Sequence, residues 1–201
     1  EAGPSARGKA IVNLLPVTQD EKVAALVAVK SFDEERFLLF ATVRGKVKRT
    51  ALAEYQNIRS TGIIAVQLEE GDDLLDVRLT DGKSHVFLGT HLGMGIRFEE
   101  TAARTMGRDT TGVRGISLRK NDFVEVMAVV AADDAGDILV VAELGLGKRT
   151  PVSDFRLQGR GGLGVTLMKI GRKTGNVAGM RYVLPDDDIL LVTAQGMLIR
   201  T

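Results

Sequence analysis

FLLFATVRGKVKRT (37–50) decides the fold: an apolar run of β-type residues, a turn centred on Gly45, and a second short strand. The pattern returns as HVFLGTHLGMGIRF (85–98), DILVVAELGLGKRT (137–150) and DILLVTAQGMLIRT (188–201). The turn glycines Gly45, Gly93, Gly145 and Gly196 recur at intervals of roughly 50 residues, the period of a repeat architecture. Four residues beyond each glycine stands an arginine: Arg49, Arg97, Arg149 and Arg200. A two-residue turn containing Gly joins antiparallel strands because Gly accepts the positive φ that such turns need. The sequence predicts a repeated β-hairpin.

A second element alternates with the hairpin. It reads RGKAIVNLL (7–15), TGIIAVQL (61–68), TGVRGISL (111–118) and RGGLGVTLM (160–168), led by Gly8, Gly62, Gly112 and Gly161. Leu14, Leu68, Leu118 and Leu167 each follow their glycine at the same distance. A polar turn then leads to a further strand, such as LLDVRL (74–79), FVEVMAVV (123–130) or VAGMRYVL (177–184). One repeat holds about four strands, with room only for a helical turn near AEYQNI (53–58) or EETAAR (99–104). This predicts an all-β, propeller-like array of about four four-stranded blades, each buried by its neighbours. A β-sandwich also spaces its strands regularly, but two motifs in strict alternation weigh against it.

The expected organisation is one domain over 1–201, with repeats at 1–36, 37–84, 85–136 and 137–187 and a last hairpin at 188–201. Starting at a second element and stopping after a hairpin, the chain either closes a ring by pairing its ends or is a fragment of a longer array. The abrupt stop favours the fragment.

Composition narrows the function. An apolar share of 44% with 26% charged residues is that of a globular chain, not a disordered one. With no Cys there is no disulfide framework, cysteine nucleophile or cysteine-ligated metal. Aromatics at 4% and no Trp supply a single-strand stacking surface poorly. The longest apolar run, VMAVVAA (126–132), is strand-sized, well below the roughly 18 residues of a membrane span, and no signal-peptide pattern is seen in the first residues given.

Net charge is only +1, but its distribution is uneven. Acids gather before each hairpin (Asp33, Glu34 and Glu35; Asp81; Asp133, Asp134 and Asp137; Asp186, Asp187 and Asp188) and in EEGDDLLD (69–76). Cations gather at the glycine turns and the loops before the second element. The candidate DNA-contacting set is Arg7, Lys9, Arg44, Lys46, Lys48, Arg59, Arg108, Arg114, Lys148, Arg156 and Arg160. A basic band repeated around an array can hold duplex DNA through phosphates without reading bases, and a curved band selects bent duplex. For any one loop, simple solvation is the competing account. For the recurring Arg49, Arg97, Arg149 and Arg200, bridging of adjacent blades is favoured over DNA contact.

Other motifs point nowhere. GRGGLG (159–164) matches G-x-G-x-x-G, yet VTLMKI after it is a strand where a dinucleotide site needs a helix. GLGKRT (145–150) has Ala142 where a phosphate loop needs its first Gly, and Arg149 where it needs Ser or Thr. Asp186, Asp187 and Asp188 read as a solvated turn rather than a cation site. His85 and His91 fall on opposite limbs of one hairpin with no third ligand. No Ser–His–Asp or paired-carboxylate arrangement supports hydrolysis.

GKAIVNLLPVTQDEKV (8–23), ATVRGKVKRTALAEY (41–55), RTMGRDTTGVRGISL (104–118) and ELGLGKRTPVSDF (143–155) together resemble the C-terminal domain of the DNA gyrase A subunit, along essentially the whole chain. The related domain of the topoisomerase IV C subunit is the nearest rival, and a propeller-type protein-interaction scaffold the alternative of another class. The resemblance implies a β-pinwheel, typically of six blades, that exchanges strands between neighbours and wraps DNA on a basic perimeter. It implies no bond chemistry here: no cofactor in this domain, with ATP and magnesium used elsewhere, and a catalytic tyrosine in another region matched by neither Tyr55 nor Tyr182. The implied partners are duplex DNA, the gyrase A N-terminal domain and the gyrase B subunit in an A2B2 assembly. The implied location is the bacterial cytoplasm, at the nucleoid. The family's box Gln-Arg-Arg-Gly-Gly-Lys-Gly belongs, on this resemblance, to a first blade that is expected to lie outside this stretch, as is the last. Gln158, Arg160, Gly161, Gly162 and Gly164 keep five of its positions, and Gly159 and Leu163 replace two cations. Full wrapping is therefore not expected of this stretch alone.

Overall fold

A computed structural model describes residues 13, 21, 23–32, 35–59, 61–132 and 136–201. Its strands run in chain order: β1 (Phe37–Thr42), β2 (Lys46–Ala51), β3 (Leu74–Thr80), β4 (His85–Thr90), β5 (Met94–Glu99), β6 (Val113–Arg114), β7 (Val124–Val130), β8 (Asp137–Ala142), β9 (Gly147–Pro151), β10 (Val165–Thr166), β11 (Val177–Val183), β12 (Leu190–Val192) and β13 (Leu198–Arg200).

The hairpins β1–β2, β4–β5, β8–β9 and β12–β13 are antiparallel, as their pattern predicts. Their turns differ from the expected two-residue form. Gly45 N–H donates to Thr42 O, Gly93 to Thr90, Gly145 to Ala142 and Gly196 to Thr193. The glycines sit at φ between +78° and +83°, and no other residue of these turns has a positive φ. That is a common turn closed by one left-handed glycine, which twists the strands correctly with a single residue in the costly region. Three of the turns add a side-chain bond: Thr42, Thr90 and Thr193 hydroxyls accept from Lys46, Met94 and Met197 N–H.

Sheet order explains the second element. The first two sheets are β3-β1-β2-β6 and β7-β4-β5-β10, so β6 and β10 each leave their own repeat to become the outermost strand of the preceding blade. These exchanged strands are only two residues long, but Ile116 and Leu167 behind them are buried and nail them down. The third sheet, β11-β8-β9, and the last hairpin have no such strand among the described residues. The inner strands meet instead: β3 packs on β7 and β7 on β11, which places them at the axis and β6, β10 and β9 at the rim. The predicted helical turns are short 3-10 segments at Leu52–Tyr55 and Glu100–Ala102, and Val152–Asp154 forms another that the sequence reading did not name.

The core lies between blades. Phe87 of β4 meets Phe155 edge-on at 4.9 Å within a cluster containing Val140, Leu167 and Met180. Leu39, Val47, Leu88, Ile96 and Phe98 form the equivalent cluster one blade earlier.

Both histidines belong to the β4 limb, not to opposite limbs. His85 begins β4, with its ring nitrogen 2.9 Å from an Arg97 guanidinium nitrogen. His91 follows β4, stacks on Phe123 and pairs with Glu125. No cluster of three metal-ligating side chains exists among the described residues.

Candidate nucleic-acid interface

The cations predicted from sequence separate into four groups once placed. Arg7 and Lys9 lie outside the described residues. Arg44, Arg59, Arg114, Lys148, Arg156 and Arg160 are exposed, on hairpin turns, rim strands and the loops between them. Lys46 and Arg108 are half-buried. Lys48 is interior, only 1% exposed, and is removed from the set of direct contacts. Its ammonium is spent on backbone carbonyls, so no phosphate can reach it.

The acids assigned to a separate zone partly cross into this one. Lys46 stands opposite Arg114 across β2–β6, and its ammonium pairs with Glu69. Asp72 is buried and accepts from the Arg44 and Asp73 N–H groups, fixing the turn rather than offering free charge. Asp76 pairs with Arg78 on β3. The rim is therefore a series of basic stations with acidic neighbours, not an unbroken band.

Two rim arginines also build the array. Arg160 Nη1 donates to Arg114 O at 3.0 Å and its Nε to Ala102 O at 2.8 Å. Arg108 Nη1 donates to Ile64 O at 3.1 Å. Ile64 and Arg114 each stand two residues beyond a lead glycine, so both arginines take the same carbonyl of the preceding repeat.

The box-like loop is docked along its length. Gln158 N–H donates to Arg97 O, Gly161 N–H to Gly115 O, and Ser117 N–H to Gly162 O. The Ser117 hydroxyl donates to Gly161 O at 2.7 Å. This leaves Arg160 and Leu163 on the outside.

The recurring arginines resolve by blade. Arg97 Nη1 donates to Val152 O and Phe155 O of the next repeat. Arg49 approaches Glu100 at 3.7 Å and stacks on Phe37. Arg149 and Arg200 instead pair with Asp137 and Asp188 at the start of their own hairpins. Sequence reading missed Glu100. Leu52 and Val152 hold its place in the neighbouring repeats, so a carboxylate in an apolar column was the available signal.

The family described as "DNA gyrase C-terminal domain, beta-propeller" matches residues 36–81, 84–131, 136–183 and 187–201. This chain belongs to that family. The DNA gyrase A protein of Deinococcus deserti is 43% identical over 205 residues, covering 100% of this chain and 25% of that protein. The chain thus spans about a quarter of its relative's length. Among solved structures, a C-terminal domain of DNA topoisomerase IV aligns at a TM-score of 0.88 with 26% identity, over 96% of this chain and 60% of that one. A DNA gyrase A C-terminal domain aligns at 0.84 with 25% identity, over 97% and 65%. Within this gyrase A pinwheel frame, the exchanged strands β6 and β10 are the feature that sets the rim. No helix among the described residues is long and apolar enough to cross a membrane.

Proposed function

We propose that this gyrase A C-terminal pinwheel binds duplex DNA without reading its sequence and bends it around the rim. The carrying observation is the recurrence of exposed cations on successive blades: Arg44, Arg59, Arg114, Lys148, Arg156 and Arg160. Phosphates are the natural partners of such a track, since neutralising them releases counterions and needs no base contact. The curvature of stacked blades favours a bent duplex.

In this reading the chain is one domain whose repeats turn over near residues 37, 85, 137 and 188. It serves ATP-driven negative supercoiling as a non-catalytic module in the bacterial cytoplasm, at the nucleoid. The cutting tyrosine, the ATPase and the magnesium reside in its partners, the gyrase A N-terminal domain and the gyrase B subunit. This domain itself takes no cofactor.

Duplex affinity measured against salt tests the reading. The log–log slope is expected to be steep, and replacing Arg59, Arg114, Lys148 and Arg156 with Ala should flatten it by about 0.9 for each lost phosphate contact. An unchanged slope would defeat these assignments. Binding indifferent to salt and not competed by duplex would point to a protein-interaction scaffold instead. The likeness to a topoisomerase IV domain adds one further measurement: minicircle ligation with the full-length protein should trap strong positive writhe if it works as gyrase, and weak writhe otherwise.

A further inference from the structure

Lys48 occupies a place where the fold needs no charge. The equivalent residue of the next hairpin is Ile96, fully buried at the same register: Phe40 faces Lys48 as Leu88 faces Ile96. An ammonium there loses solvation that isoleucine never had. What it does is polar and specific. Its Nζ donates to Ala65 O at 2.8 Å and to Arg108 O, and lies 5.3 Å from the centroid of the Phe40 ring. Ala65 O also accepts from the Tyr55 hydroxyl at 2.9 Å, while the Arg108 guanidinium reaches back to Ile64 O. Loop 61–66 and loop 107–110 are thus tied together from beneath. Both wall a surface groove of about 760 Å³ whose lining includes Arg59 and Arg108.

We propose that Lys48 is a positioning residue of the basic rim, an interior cation that holds these two loops so that Arg59 and Arg108 face duplex phosphate together. The inference rests on the DNA-binding reading above and names a residue that never touches DNA.

Among the described residues the charged neighbours are few. Arg108 and Asp109 approach from the second loop, Tyr55 shares the Ala65 carbonyl, and β1 contributes only the Phe40 ring. The groove's remaining acid is Glu54. Burial draws the ammonium down from 10.5 to about 8; Asp109 opposes the shift and Arg108 adds to it. Nearby phosphate favours the charged form, so DNA binding takes up a proton above pH 8. By linkage, affinity then falls as pH rises through that value, by at most about tenfold per pH unit.

The test compares the wild-type chain with Lys48→Ile, the residue type already used by the next blade, and Lys48→Met. Thermal stability and duplex affinity are followed at constant salt from pH 7 to about 9.5. The variants should melt close to the wild type, because the desolvation cost that is relieved offsets the two carbonyl bonds that are lost, yet bind duplex several-fold more weakly at pH 7. Wild-type affinity should fall above pH 8 while both variants stay flat. A role in folding alone would lower stability and affinity together. Equal affinity in wild type and variants, or a wild-type profile flat across pH 8, overturns the role of Lys48 and leaves DNA binding intact. Absence of duplex binding by the wild type overturns the DNA reading and this inference with it.

Discussion

Gly164 shows how a loop of apparent functional type answers to packing. Its φ is +76°, and a Cβ there would lie 2.1 Å from Gly95 O. The chain must bring its backbone against β5 for β10 to pair, and only a residue without a side chain fits. Gly164→Ala should cost at least about 1–3 kcal/mol from backbone conformation alone. Gly159→Ala, in the same loop with nothing within 4 Å, should change stability by no more than about 0.5 kcal/mol. Denaturant melts of the two variants check this, and equal losses would contradict it. The glycines shared with the family's box thus serve blade exchange here. Of the quoted box positions, Arg160 is the one that combines charge with exposure.

At the scale of elements, the hairpins were legible because their residues satisfy local rules. FLLFAT and HVFLGT carry β-type side chains, and each turn carries the glycine it needs. Lys48 was not legible. On β2, Val47, Lys48 and Thr50 are all buried, since blades cover both faces of the hairpin and alternation no longer marks a solvent side. The partners of the recurring arginine were likewise hidden. The start of each hairpin offers Phe37, His85 or Asp137 on its first strand, or Asp188 just before it, and a neighbouring blade offers Glu100 or the Val152 and Phe155 carbonyls.

Glu100 joins the first two blades, accepting from the Thr80 hydroxyl at 3.0 Å and from Ser84 N–H at 3.2 Å while fully buried. Burial raises its pKa above 4.5, outweighing the hydrogen bonds from Thr80 and Ser84 and the charge of Arg49 that lower it. A carboxyl raised on folding stabilises the fold below about pH 4.5, and that contribution is lost as pH climbs through the raised value. Glu100→Gln removes this titration. Calorimetric melting temperatures from about pH 4 to 7 should show the variant gaining on the wild type as pH rises, and a constant difference would refute the assignment.

Over the whole molecule, inner strands β3, β7 and β11 pack on one another while exchanged strands close the outer edges of the first two blades. That arrangement turns a linear repeat into a curved rim with cations at successive stations. If the rim holds bent DNA, a pre-bent minicircle should outcompete linear duplex of equal length and sequence. The reason is that bending a site of 20–30 base pairs costs roughly 1–6 kcal/mol that the minicircle has already met. Competition binding measures this, and equal affinities would argue for contact without wrapping.

The repeat, the hairpins, their turn glycines and the all-β class follow from the sequence by itself, because each depends on residues within a few positions of one another. Which strand leaves its repeat, which arginine spends its guanidinium on a neighbouring carbonyl, and which lysine turns inward were decided only in three dimensions. Those outcomes depend on faces that become interior when one blade lies against the next, and such contacts join residues far apart along the chain.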